Sequence, residues 1–76
     1  MPHVIVKLWP GRSEQQKSAL AEQITRDLMT TLGSTEKSVS VAIEEVRPED
    51  WTAQVWEPDI APRLDRLYKK PGYTPG

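Results

Sequence analysis

The stretch Pro2-His3-Val4-Ile5-Val6-Lys7-Leu8-Trp9-Pro10-Gly11-Arg12-Ser13 carries a strand, its stop and the signal that opens a helix. Val4, Val6 and Leu8 alternate with His3, Ile5 and Lys7, the period of two of a β-strand with one better-buried face. Pro10-Gly11 stops it, because proline brings no N–H to a ladder and the pair favours a turn. Ser13 is a good N-cap, Gln16 completes an S-x-x-Q capping box, and Glu14 suits the positive first turn. Leu20, Ile24, Leu28 and Leu32 then recur every four residues, joined by Ala21 and Thr31, until Gly33 offers a C-cap. After Ser34 to Lys37, the segment Val39 to Val46 alternates again and predicts a second strand.

Strand, helix and strand make a βαβ unit, for which a right-handed crossover and parallel strands are expected. Two strands do not make a stable sheet alone, and the open face and edges invite a neighbouring copy. Beyond Pro48, Trp51 and Trp56 are expected to flank a short loop or strand. Ile60, Leu64, Leu67 and Tyr68 stand at helical spacing and predict a second helix. Its regular part is expected from Pro62, since proline is unsuited to a helix interior, and Pro71-Gly72 should end it. Tyr73 to Gly76 read as a loose tail or an arm on a partner subunit. The whole, residues 1–76, is expected to be one α+β domain.

Seventy-six residues bury only about 60% of the surface that the unfolded chain exposes, so a lone monomer would be marginal. No cysteine is present and His3 is the single histidine, which removes disulfides and a zinc cluster as supplements. Self-association is the remaining candidate. The start lacks a basic segment followed by an apolar signal region, and a cytoplasmic protein is expected. A formal net charge of -1 and the lack of a long apolar run point away from nucleic acid and membrane.

Pro2 directly follows Met1. Removal of Met1 would free a secondary amine, and half-burial at a strand start would disfavour its charged form and make it a base near neutrality. Arg12 can grip a carboxylate bidentately or serve as a solvated charge at the helix start. It follows Pro2 by ten residues, roughly 30 Å along an extended chain, so the two can share a site only across subunits. Trp51 can wall an apolar pocket and offer its indole N–H, or simply pack. His3, isolated on a strand, reads as structural or surface, and the adjacent Glu44 and Glu45 point to opposite faces. Lys69 and Lys70 read as a solvated helix end. Phosphate loops, nucleophile elbows and metal constellations are absent from the sequence.

Pro2 opening a strand, Gly11-Arg12-Ser13 and Gln16-Lys17 at a helix start, and Ser38-Val39-Ser40-Val41 in the second strand together resemble the 4-oxalocrotonate tautomerase family. Arg47-Pro48-Glu49-Asp50-Trp51, Asp59-Ile60-Ala61-Pro62 and Lys69-Lys70-Pro71-Gly72-Tyr73 extend the likeness to a bacterial subgroup of it. The resemblance implies the βαβ tautomerase fold plus a C-terminal helix, the sheet being completed by a second subunit. It implies keto–enol tautomerisation of small unsaturated 2-keto or 2-hydroxy acids, with Pro2 as general base and no cofactor or metal. Arg12 would bind the substrate carboxylate and Trp51 would be the aromatic pocket residue.

Ser40 stands where well-known members carry a second arginine. It can hydrogen-bond without supplying charge, which favours a monocarboxylate with an apolar or aromatic body, such as enol-phenylpyruvate. The C-terminal extension implies a homodimer in place of a hexamer. The alternatives are a hydratase or dehalogenase of unsaturated acids, with Pro2 as an acid, and a non-enzymatic dimeric binding module that retains Met1.

Overall fold

The computed structural model describes residues 1–75, so Gly76 of the expected tail lies outside the described residues. The chain forms two compact units, Met1–Glu45 and Val46–Gly76. In the first, strand β1 (His3–Leu8) leads to helix α1 (Glu14–Leu32), a tight turn at Glu36–Ser38, and strand β2 (Ser40–Glu45). The strands pair in parallel from His3↔Ser40 to Leu8↔Glu45. Both expected strands and the long helix are therefore present, with β2 one residue shorter at each end than the alternation suggested.

The ends of α1 follow from local chemistry. Ser13 is extended at φ -72°, ψ 161°, and its hydroxyl accepts from the Gln16 N–H at 3.1 Å. The Gln16 side chain accepts from the Ser13 N–H at 2.9 Å, completing the capping box. At the other end Gly33 adopts φ 70°, ψ 19°, and its N–H reaches the Met29 carbonyl at 3.0 Å. No atom lies within 4 Å of where a Cβ on Gly33 would sit, so only the left-handed backbone opposes a side chain. Gly33→Ala is accordingly expected to destabilise the fold by about 1 kcal/mol, read as a lower urea midpoint at unchanged slope. A midpoint equal to wild type would show that the cap contributes nothing.

The inward line of α1 differs slightly from the expected stripe. Lys17, Ala21, Ile24, Thr25 and Leu28 are half-buried, whereas Leu20 and Thr31 are exposed and Leu32 is 64% exposed. The line runs through positions seventeen to twenty-eight at steps of three and four, and a strict step of four drifts off it. Thr25 turns its hydroxyl to the Ala21 carbonyl at 2.9 Å, which lets a polar side chain sit on the inner face. Lys17 bridges Glu14 at 2.8 Å and Glu45 of β2 at 3.5 Å. Its pKa is raised above the usual lysine value, chiefly by the hydrogen bond that its ammonium donates to Glu14.

In β1, Val4, Val6 and Leu8 are half-buried while His3 and Ile5 are exposed, as the alternation required, but Lys7, expected on the exposed side, is half-buried too. Ile5 is 52% and Trp9 57% exposed. No residue of this unit falls into the fully buried class, as expected of a sheet of only two strands.

The second unit corrects the sequence reading. The Trp51–Trp56 segment is helical: a tight turn at Pro48–Asp50 leads into a wide, i→i+5 bonded helix over Thr52–Ile60 and then a 3-10 helix over Ala61–Arg66. Val55, the buried residue of the wide helix, and Val46 form this unit's core. A regular helix over Ile60 to Tyr68 does not form, and the prolines explain why. Pro62 has no N–H for the Pro58 carbonyl, so the Arg63 guanidinium donates to it instead at 2.9 Å, and Arg63 leaves helical geometry at φ -125°, ψ 18°. Ala61 returns its N–H to Trp56, five residues back, and the turn widens around Pro58. The tail is not loose at Tyr73, whose ring lies 5.5 Å from that of Trp56 at 54°.

Candidate active site

Pro2 immediately precedes β1 and is half-buried, with Met1 fully exposed ahead of it. The Ser40 N–H donates to the Pro2 carbonyl at 3.2 Å, which fixes the residue's backbone at the first rung of the parallel pair. The backbone of Ser40 thus lies against that of Pro2. Its hydroxyl is 2.6 Å from Nδ1 of His3, the residue opposite it in register. The sequence reading left His3 as a structural or surface residue. The signal that would have found it was the register itself, because Pro2 and Ser40 in one site force His3 and Ser40 to face each other.

Arg12 stands beyond the other end of β1. Leu8, Trp9, Pro10, Gly11 and Arg12 line an open concavity of about 290 Å³ there. Gly11 at φ 120° makes the turn, a conformation that side chains rarely adopt. Arg12 is exposed and makes no ion pair or hydrogen bond among the described residues. By contrast, Arg26 is paired with Glu22 at 2.8 Å and Arg47 with Asp50 at 2.9 Å. A single copy therefore keeps Pro2 with Ser40 at one end of the strand and Arg12 at the other.

Trp51 belongs to the second unit, half-buried, at the start of the wide helix. Its indole N–H donates to the Tyr73 hydroxyl at 3.0 Å. Of the two readings of Trp51, a donor offered to substrate or a packing residue, the structure shows its donor engaged within the chain, and Tyr73 was not foreseen as its partner. Among the described residues, no group of three or more His, Asp or Glu side chains is arranged to hold a metal ion, and no helix is long and apolar enough to cross a membrane.

Comparison with known proteins agrees with this arrangement. The family described as Tautomerase enzyme matches residues 2–56, beginning at Pro2. The chain is 50% identical over 74 residues to Tautomerase PptA of Cronobacter sakazakii, covering 96% of this chain and 97% of that one. It is 44% identical over 75 residues to Tautomerase PptA of Escherichia coli O157:H7, covering 97% and 99%. Among solved structures it is similar to TomN, a 4-oxalocrotonate tautomerase homologue in the tomaymycin biosynthetic pathway, at 42% identity and TM-score 0.64 over 66% of this chain and 77% of that one. The homologue TTHB242 gives 31% identity and TM-score 0.64 over 72% and 87%. A parallel βαβ unit opened by Pro2, a family match that starts at that residue and near-full-length relatives lead to one conclusion: this chain belongs to the tautomerase family and is an enzyme of the isomerase class, not a non-enzymatic binding module.

Proposed function

We propose that the mature chain begins at Pro2 and that its secondary amine is the general acid and base for keto–enol tautomerisation of small unsaturated 2-keto acids. The observation that carries this reading is Pro2 itself: half-buried, held by the Ser40 N–H, and the residue at which the family match begins. Partial burial disfavours the ammonium form, so the amine can take a proton near pH 7. In ketonisation the amine removes the proton of the C2 hydroxyl. The O–H electron pair becomes the C2=O π bond, the former C2=C3 π pair takes a proton at C3, and the prolinium returns it. The site ends as it began, neutral, with no cofactor in the cycle.

Arg12 would bind the substrate carboxylate through paired N–H donors. Because it lies at the strand end remote from Pro2, it would come from a second copy. We infer a homodimer in which two βαβ units share a four-stranded sheet, in keeping with exposed Ile5 and Trp9 and the absence of fully buried residues in the first unit. Light scattering is expected to give twice the chain mass, and a hexamer would reject this assembly. The proposed setting is cytoplasmic, without nucleic-acid or membrane partners.

Ser40, which carries no charge, favours a monocarboxylate with an apolar or aromatic body, of the enol-phenylpyruvate type. Ser40→Arg should therefore raise turnover of an unsaturated dicarboxylate relative to enol-phenylpyruvate by about tenfold, the scale of one added charge-assisted hydrogen bond. Unchanged relative rates would count against the specificity. The activity itself is tested by the ultraviolet absorbance of enol-phenylpyruvate with protein whose intact mass begins at Pro2. Decay no faster than in buffer would overturn the substrate class.

A further inference from the structure

The first rung of the sheet pairs His3 with Ser40, and their Cα atoms are partners in the parallel register. Side chains opposite each other in register leave the same face of the sheet, and both residues are exposed there. Nδ1 of His3 and Oγ of Ser40 are 2.6 Å apart, a short contact for a nitrogen and a hydroxyl. The same Ser40 gives its backbone N–H to Pro2. Ser40 thus joins two neighbours at this end of the pair: its backbone N–H holds the carbonyl of Pro2, the proposed base, and its hydroxyl meets the imidazole of His3.

A serine hydroxyl has one proton, and its direction decides what the residue offers. If Ser40 donates to Nδ1, its remaining lone pairs face outward and repel an anion. If Nδ1 carries the proton and donates to Oγ, the Ser40 hydroxyl hydrogen is released to point at a ligand. A neutral imidazole holds its proton on either nitrogen, so His3 can make this choice without changing its charge.

We infer that His3 is a positioning residue: with its proton on Nδ1 it turns the Ser40 hydroxyl outward as a hydrogen-bond donor to the substrate's carboxylate or adjacent carbonyl oxygen. The pair forms an uncharged oxyanion-binding corner next to Pro2. It discriminates in favour of substrates with a single carboxylate, which it shares with Arg12, over dicarboxylates, whose second charge it cannot match. This inference rests on the Pro2 reading for its substrate class, while the side-chain chemistry of the pair is independent of turnover.

The test combines kinetics with the spectrum of the imidazole. His3 is the single histidine of the chain, so its ring nitrogens give one set of ¹⁵N resonances, which report the tautomer directly. Phenylacetate, an unreactive aromatic monocarboxylate, should move those resonances toward the Nδ1–H form in wild type and leave them in place in Ser40→Ala. With enol-phenylpyruvate, His3→Ala and Ser40→Ala should each raise KM by about three- to tenfold with kcat nearly unchanged, the scale of one hydrogen bond.

The double variant should be no worse than either single one, since His3 acts only through Ser40. His3→Asn places an amide nitrogen where Nδ1 stood and should restore KM to within about twofold of wild type. Multiplying effects in the double variant, an Asn variant no better than Ala, or a spectrum indifferent to phenylacetate in wild type would each overturn the inference. A wild-type enzyme that binds phenylacetate with the expected tautomer shift but turns over no enol would instead refute the Pro2 reading and leave the corner standing.

Discussion

Pro2→Ala is expected to lower the ketonisation rate of enol-phenylpyruvate by about 10² to 10⁴, the contribution of a positioned proton-transfer group. The loss should fall on kcat. The alanine variant keeps a terminal amine but loses the pyrrolidine ring that rigidly holds the nitrogen at the strand entrance. A second protein separates basicity from shape. If Met1 is retained, Pro2 keeps its ring and its place against Ser40, yet its nitrogen becomes an amide without a basic lone pair. That form should be as inactive as Pro2→Ala. Equal activity of Met1-retaining and processed protein would remove the amine from the mechanism, whereas activity lost in both, with circular dichroism unchanged, would fix it there.

Arg12→Ala is expected to raise KM by about ten- to a hundredfold, since a hydrogen bond to a charged partner is worth roughly 1.5–3 kcal/mol. Arg12→Lys should recover only part of that loss, because an ammonium lacks the planar pair of donors that matches a carboxylate. The geometry makes a stronger claim. In a two-fold dimer each site takes Pro2 from one copy and Arg12 from the other. Mixed and re-equilibrated Pro2→Ala and Arg12→Ala chains would then form half mixed dimers, each with one intact and one doubly altered site. At substrate well below the wild-type KM, where each variant alone is slow, about a quarter of wild-type activity should return from the two impaired proteins. No recovery, with subunit exchange verified by mass, would show that both residues are supplied by one copy.

The sequence made the first unit legible because its signals were local and redundant. The Ser13–Gln16 box, Gly33 and the alternation of β1 each named an element boundary without reference to any distant residue. Pro2 could be proposed from its place behind Met1 at a strand start, whereas Arg12, Ser40 and Trp51 were assigned as site residues through the family resemblance. His3 escaped because its meaning depends on a partner in β2, and register is a property of pairing that neither strand carries alone. The second unit was read poorly where two demands conflicted. Ile60, Leu64, Leu67 and Tyr68 have helical spacing, but Pro58 and Pro62 remove the donors that spacing needs. The chain answers with a wide turn, a tight turn and a borrowed guanidinium from Arg63, an outcome that periodicity does not describe. Tyr73 was likewise hidden, since its contacts with Trp51 and Trp56 join residues separated by an irregular path.

The pairing that begins at His3↔Ser40 has a practical corollary. Sliding β1 by one position would exchange Val4, Val6 and Leu8 for His3, Ile5 and Lys7 on the inner face and would also withdraw Pro2 from Ser40. On the proposed mechanism, misassembled molecules are therefore expected to be silent. Specific activity in a preparation becomes a count of correctly registered sheets, and recovery of turnover after denaturation can serve as a proofreading assay for β1–β2 pairing.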